Sequence, residues 1–190
     1  MKVSPATLAQ WALMVMLSAF LFVGFYRLNE QLFMAFEYAQ GINWIFLPSG
    51  FRVLLVLVLG WPGALGIVGG TFWLDQEQLV DLNGCFTVLL TGLASGYGPW
   101  LIKRWMESRG WLDVHLRAIS AQRLLQFVLL YAAFNSVSHQ CIRWYLLRIE
   151  SKPWLDAWPM FVGDTLGALL VLYSMKYALT WLGSRAQAPR

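Results

Sequence analysis

The sequence predicts an all-α fold, a polytopic membrane helix bundle of about six transmembrane helices with a broken second span and an interfacial amphipathic helix. Composition carries this prediction. Of the 190 residues, 58% are hydrophobic and only 13% are charged, whereas soluble domains carry about 25% charged residues. The chain also contains 11 tryptophans, a residue enriched at membrane–water interfaces. We expect one transmembrane domain over residues 1–184 and a disordered C-terminal tail over 185–190.

Six apolar segments follow one another along the chain. A membrane-spanning helix needs about 20 mainly apolar residues, and the candidate spans cover residues 8–26, 42–60, 63–74, 84–102, 124–147 and 158–182. Between the first two lies LNEQLFMAFEYAQG, in which Leu32, Phe33, Phe36 and Ala39 share one helical face. That pattern predicts an amphipathic helix lying in the membrane interface.

The second predicted span is interrupted at Pro48, Ser49 and Gly50, and a Trp61-Pro62 turn follows it directly. Irregular backbone at membrane depth is tolerated only where it is buried in protein or lines a water-filled cavity. The break therefore predicts free backbone groups inside the bundle, where neighbouring side chains or a ligand would satisfy them.

Loop charge predicts the orientation. Five basic residues, Lys103, Arg104, Arg109, Arg117 and Arg123, follow the fourth span, whereas the connection before it is acidic. Basic loops stay on the cytoplasmic side, so we expect a bacterial inner-membrane protein with both termini in the cytoplasm. The lipid bilayer is the expected surrounding. No run of basic residues indicates a nucleic-acid partner.

Polar residues inside the fifth span form one stripe. Asn135, His139 and Arg143 are spaced i, i+4, i+8, so they share a helical face. Such a face avoids lipid and turns towards the bundle interior or water. Glycine pairs at 92/96 and 163/167 are typical of closely packed helices.

The depths of three ionisable residues predict that they meet. At 1.5 Å per residue, Arg52 lies about 15 Å, Asp164 about 9 Å and His139 about 12 Å below the outer edge. An unpaired charge at such depth is expensive. We therefore expect Arg52 to pair with Asp164, with His139, Asn135 and Ser49 beside them in an outer-half pocket. The pair can equally serve only to hold helices together, and a ligand would be anionic if Arg52 is free to reach it.

Catalytic and metal-binding motifs are missing from the sequence, so no enzyme activity, metal or cofactor is predicted. A Ser49–His139–Asp164 triad is conceivable, but the arginine beside the serine and the lack of an orienting motif disfavour it.

Two stretches carry a resemblance to a known family. FLPSGFRVLLVLVLGWPGALGIVGG and WPMFVGDTLGALLVL together resemble the MASE1-type membrane sensory domain, with its Pro-small-Gly and Trp-Pro pattern and its late Asp-x-x-Gly, here Asp164 and Gly167. Members of that family have about eight spans and a cytoplasmic output domain. This chain has about six and no such domain, and Arg52 stands at a position that is usually uncharged. The resemblance implies a stand-alone sensory module.

These observations support one leading function and two alternatives. The leading one is an inner-membrane module that binds a small ligand or a membrane partner, in a sensory or accessory role beside a signalling or ATPase subunit. The alternatives are a small substrate-binding subunit of a transporter and a structural subunit of a larger membrane complex.

Overall fold

The computed structural model describes residues 4–39, 42–113, 119–147 and 153–186. Over these residues the chain is all-α apart from one short hairpin. The helices are α1 (Pro5–Phe33), α2 (Leu47–Leu59), α3 (Trp61–Leu74), α4 (Leu82–Ser108), α5 (Ala121–Ile142) and α6 (Pro153–Ala186). The prediction of an all-α chain is confirmed.

Successive helices alternate in direction and pack into one bundle. α1 packs on α3, α3 on α4, α4 on α5, α5 on α6, and α6 on α2. The turn between α2 and α3 is a single residue, Gly60, whose φ of 66° is a conformation that glycine adopts without strain. The starts of α2 and α4 and the ends of α1, α3 and α5 consequently lie at the same end of the bundle.

Three of the four paired glycines lie at close contacts, as predicted, whereas Gly92 meets α3 only at ordinary van der Waals distance. A Cβ at Gly163 would overlap the carbonyl oxygen of Asn43, and one at Gly167 would overlap that of Phe46. Gly96 likewise meets the carbonyl oxygen of Ala64 on α3. The absence of side chains therefore lets α6 approach the backbone just before α2.

Three segments of the described chain are long and apolar enough to cross a membrane, namely Pro5–Phe36, Leu82–Ser108 and Trp154–Ala178. α2 is apolar but has only 13 residues. The membrane character of the chain is therefore supported by three helices, and the number of six crossings stays a prediction.

The predicted interruption of the second span is wrong. Residues Ile42–Asn43 form a strand, and α2 begins only at Leu47, with Pro48 in its first turn. Proline suits that position because the first N–H groups of a helix have no partner within it. The side chain of Asn29 on α1 accepts a hydrogen bond from the Leu47 amide at 2.9 Å. The Pro-Ser-Gly stretch is thus a buried helix start.

The predicted interfacial helix is also wrong. α1 continues to Phe33, a 3-10 turn covers Met34–Phe36, and strand β1 (Glu37–Ala39) pairs antiparallel with β2 (Ile42–Asn43). Tyr38 and Trp44 meet edge to face across this hairpin. Cross-strand aromatic pairs of this kind stabilise a hairpin. Gln40 and Gly41, which belonged to the predicted helix, lie outside the described residues.

Besides α1, the helices α4 and α6 run further than predicted. α4 reaches Ser108, where Glu107 forms ion pairs with Lys103 and Arg104, so part of the expected basic loop is helical. Arg117 of that loop lies outside the described residues. α6 continues to Ala186, two residues into the predicted tail, of which the remainder is not described.

Candidate functional site

Arg52 lies in the core of the bundle and is held by aromatic side chains. It is only 5% exposed. Its guanidinium lies 5.1 Å from the ring centre of Phe22 on α1 and 5.2 Å from that of Phe46 before α2. Its Nη1 donates a hydrogen bond to the Tyr131 hydroxyl of α5 at 3.2 Å. Two ring faces and one hydroxyl therefore replace the water that the cation would otherwise keep.

Asp164 is buried on α6 and is held by α5 and α2. Its Oδ2 accepts a hydrogen bond from Asn135 Nδ2 at 2.7 Å. Its backbone carbonyl oxygen accepts one from the Ser49 hydroxyl at 2.8 Å. Gly163 and Gly167 lie on either side of Asp164 in α6 and contact the backbone just before α2. These contacts bring the start of α2 close to Asp164. We call Ser49, Arg52, Tyr131, Asn135 and Asp164 the polar centre.

The predicted direct ion pair between Arg52 and Asp164 is not formed. Among the ion pairs of the described residues, none joins these two side chains within 4.0 Å. The guanidinium turns to Tyr131 and the phenyl rings, and the carboxylate turns to Asn135. The two charges still interact electrostatically across the polar centre, so each lowers the cost of burying the other.

His139 follows Asn135 by one helical turn, but its hydrogen bond goes to another helix. Its Nε2 lies 3.0 Å from the hydroxyl of Ser95 on α4. The described contacts therefore place His139 at the α4–α5 seam and not in the polar centre. The conceivable triad is not assembled either, because the Ser49 hydroxyl donates to the backbone of Asp164 and the histidine contacts Ser95.

The sequence reasoning missed Tyr131, Phe22 and Phe46. Tyr131 precedes Asn135 by four residues, so extending the polar stripe one turn backwards would have found it. The two phenylalanines carry no sequence signal, because aromatic residues are frequent along the whole chain.

Several atoms of the polar centre have no hydrogen-bond partner. They are Nε of Arg52, Oδ1 of Asn135 and Oδ1 of Asp164, all buried. Gln140, further along α5, is buried as well, and its side-chain oxygen Oε1 has no hydrogen-bond partner. Buried polar groups are nearly always hydrogen-bonded, so these atoms are the part of the region whose hydrogen bonding is incomplete. No cluster of three metal-ligating side chains occurs in the part of the chain that the structure describes.

Asp75, at the end of the bundle where α2 begins, has a shifted pKa. Asp75 follows the last residue of α3 and is half-buried. Burial raises the pKa of its carboxyl group, and the positive charge of Arg52 opposes that shift without cancelling it. Arg52 therefore has a second acidic neighbour, at the boundary of the helical bundle.

Comparison of the chain with protein-family models, with curated proteins and with solved structures finds no match. The resemblance to the MASE1-type domain consequently remains a prediction from the two quoted stretches. The geometry of the polar centre is what a functional assignment has to rest on.

Proposed function

We propose that the chain is a multi-pass bacterial inner-membrane module that binds a small ligand or a membrane partner at its polar centre, in a sensory or accessory role. The proposal includes six crossings with both termini in the cytoplasm. The three long apolar helices support a location in the membrane. The strict alternation of helix direction supports an even number of crossings. The MASE1-type resemblance is in keeping with a sensory role.

The short α2–α3 hairpin does not change the side of the membrane on which the termini lie. Its helices have 13 and 14 residues and rise about 20 Å each, less than the roughly 30 Å of a bilayer core. The turn at Gly60 lies beside α1, because the ring of the next residue, Trp61, packs on Trp11 at 5.2 Å. Whether the hairpin crosses completely or turns back within the membrane, the two termini fall on the same side.

The observation that carries the proposal is the set of unpartnered buried atoms. A buried polar group without a partner costs about 1–3 kcal/mol. A centre that only held helices together would place the guanidinium of Arg52 directly on the carboxylate of Asp164. Here both groups keep an atom without a partner, and so does Asn135, which bonds Asp164. A bound molecule with donors and acceptors would satisfy all three atoms.

A structural-subunit function is supported by a different part of the same region. The Asn135–Asp164 hydrogen bond ties α5 to α6, and the glycine contacts tie α6 to the start of α2. These contacts stabilise the bundle with or without a ligand. The unpartnered atoms are what a purely structural role leaves unexplained.

Native mass spectrometry of the detergent-extracted protein tests the proposal. We expect the wild-type chain to retain a small molecule or a protein partner and Asp164→Asn to lose it, because the neutral amide changes the charge of the centre while keeping its shape. Glu77→Gln is the matched control, since that exposed acid lies at the same end of the bundle. Bare protein from wild type, or equal retention by Asp164→Asn, would show that the polar centre binds nothing.

A further inference from the structure

A cavity opens between α5 and α6. Its volume is about 170 Å³, and its lining residues are Val137, Gln140, Cys141, Trp144, Trp154 and Ala157. An apolar cavity of about 150 Å³ holds a benzene-sized group. The cavity can therefore take a small molecule with an apolar body, or the equivalent part of a larger one.

The polar residue of this cavity is a buried acceptor. Gln140 is 2% exposed, and its Nε2 donates to the sulfur of Met160 at 3.8 Å. Its Oε1 has no partner. One of the two N–H groups of the amide is thus used, and Oε1 is the side-chain atom without any partner. Because an amide oxygen only accepts, a molecule that satisfies it has to donate a hydrogen bond.

The neighbouring unpartnered atoms of the α5–α6 seam are acceptors too. Oδ1 of Asn135 and Oδ1 of Asp164 lie about one helical turn from Gln140 and Met160 along their helices. Two unpartnered buried atoms of the described residues can donate. Nε of Arg52 belongs to α2, between the rings of Phe22 and Phe46, and the hydroxyl of Thr165 on α6 can both donate and accept. The seam thus has an excess of acceptors, which a donor-rich group would satisfy.

The rim of the cavity is aromatic. The side chains of Trp144 and Trp154 are exposed and line it, Trp144 from the turn of π-helix Arg143–Leu147 that follows α5 and Trp154 from α6. Indole faces attract cations, tryptophan most strongly among the aromatic residues. Arg143 and Asp156 are sequence neighbours of lining residues. Because their charges are opposite, together they favour neither a cation nor an anion. The preference for a cation therefore comes from the indole rings and the unpartnered acceptor atoms.

From these features we infer that the α5–α6 cavity binds an ammonium group attached to an apolar body, with the ammonium donating to Gln140 Oε1. This inference goes beyond the proposed function, because none of the residues that line the cavity belongs to the polar centre. The expectation of an anionic ligand required a free Arg52. That guanidinium is instead enclosed by two rings and bonded to Tyr131.

Calorimetric titration of the whole chain in dodecyl maltoside, a detergent without nitrogen, tests the inference with three probes of similar size. Benzylammonium should bind saturably, and benzoate and benzyl alcohol at least tenfold more weakly. Gln140→Met should weaken benzylammonium binding about tenfold or more, because a hydrogen bond to a charged group is lost. Trp144→Leu should weaken it about two- to fivefold. Ala157→Phe should abolish it by filling the cavity.

Trp158→Leu is the matched control, because this exposed tryptophan stacks on Phe161 in the same helix and does not line the cavity. It should bind benzylammonium as wild type does. If Gln140→Met does not fold, Trp144→Leu and Ala157→Phe still test the inference. Both residues lie at the rim of the cavity or at the protein surface, so their substitution should leave the fold intact. Competition by phosphatidylethanolamine would identify a lipid headgroup as the natural source of the ammonium, and its absence a soluble amine.

Two results would overturn the inference. One is equal or tighter binding of benzoate or benzyl alcohol, and the other is no saturable binding of benzylammonium to wild type. Neither result decides the proposed function, because that is read from the mass of what native protein retains and from its loss in Asp164→Asn.

Discussion

Replacing Gly167 by alanine should prevent α6 from closing on the start of α2. An added Cβ would overlap the carbonyl oxygen of Phe46, and backbone there cannot move aside as a flexible side chain can. Overpacking of a tight contact costs about 1–3 kcal/mol. Alanine returns about 1 kcal/mol through its better helix propensity. We therefore expect Gly167→Ala to lower the free energy of unfolding by up to about 2 kcal/mol.

The same chain offers a control for the intrinsic effect of the substitution. A Cβ at Gly69 on α3 would meet nothing within 4 Å. Gly69→Ala should therefore stabilise the protein by up to about 1 kcal/mol through helix propensity alone. The free energies of unfolding of both variants are measured in mixed micelles with a rising fraction of sodium dodecyl sulfate. If the two variants change stability equally, α6 does not approach α2 as described, and the placement of Asp164 beside Ser49 is wrong with it.

Three further perturbations test the surroundings of the site. Tyr131→Phe removes the acceptor of Arg52 Nη1 and should lower the free energy of unfolding by about 1.5–3 kcal/mol in the same micelle titration. Its control is Tyr173→Phe, which changes an exposed side chain and should stay within about 0.5 kcal/mol of wild type. Asn29→Ala removes the cap of α2 and should cost about 0.5–2 kcal/mol, and an effect no larger than that of Tyr173→Phe would argue against the cap. The pKa of Asp75 is raised in the folded state, so the folded state holds this proton more tightly and wild-type stability should fall as pH rises from the ordinary carboxyl range through the raised pKa. Asp75→Asn should remove that part of the pH dependence, and an unchanged profile of stability against pH would contradict the shift.

The order of the six apolar helices could be predicted from the sequence, because each has its own apolar run separated from the next by polar or turn residues. The exact start of α2 could not. Pro48 and Gly50 look like an interruption, but a proline is also suited to a first helical turn, and only the cap from Asn29, 18 residues earlier, distinguishes the two. The hairpin that replaced the interfacial helix depends in the same way on pairing between separate segments.

The polar centre shows what rise per residue can predict and what it cannot. Depth predicted one layer for Arg52, Asp164 and His139, because rise along a helix is nearly constant, and Arg52 and Asp164 do lie in the polar centre whereas His139 contacts Ser95. It could not say which group each side chain bonds, since that depends on helix rotation and on aromatic neighbours. The predicted Arg52–Asp164 pair was wrong for this reason.

His139 illustrates the rotational limit. Four residues on a helix turn through about 40° more than a full circle, which is enough to move a side chain from one neighbouring helix towards the next. Asn135 accordingly reaches α6, while His139 reaches Ser95 on α4. A stripe in the sequence therefore predicts a buried face but not a single site.

The most direct test of the polar centre is an experimental density map of the protein purified without added ligand. The account predicts non-protein density, larger than a water molecule, in contact with Oδ1 of Asp164 or Oδ1 of Asn135. A map in which Arg52 bonds directly to Asp164, with no density beside either oxygen, would show that the centre only holds the helices together.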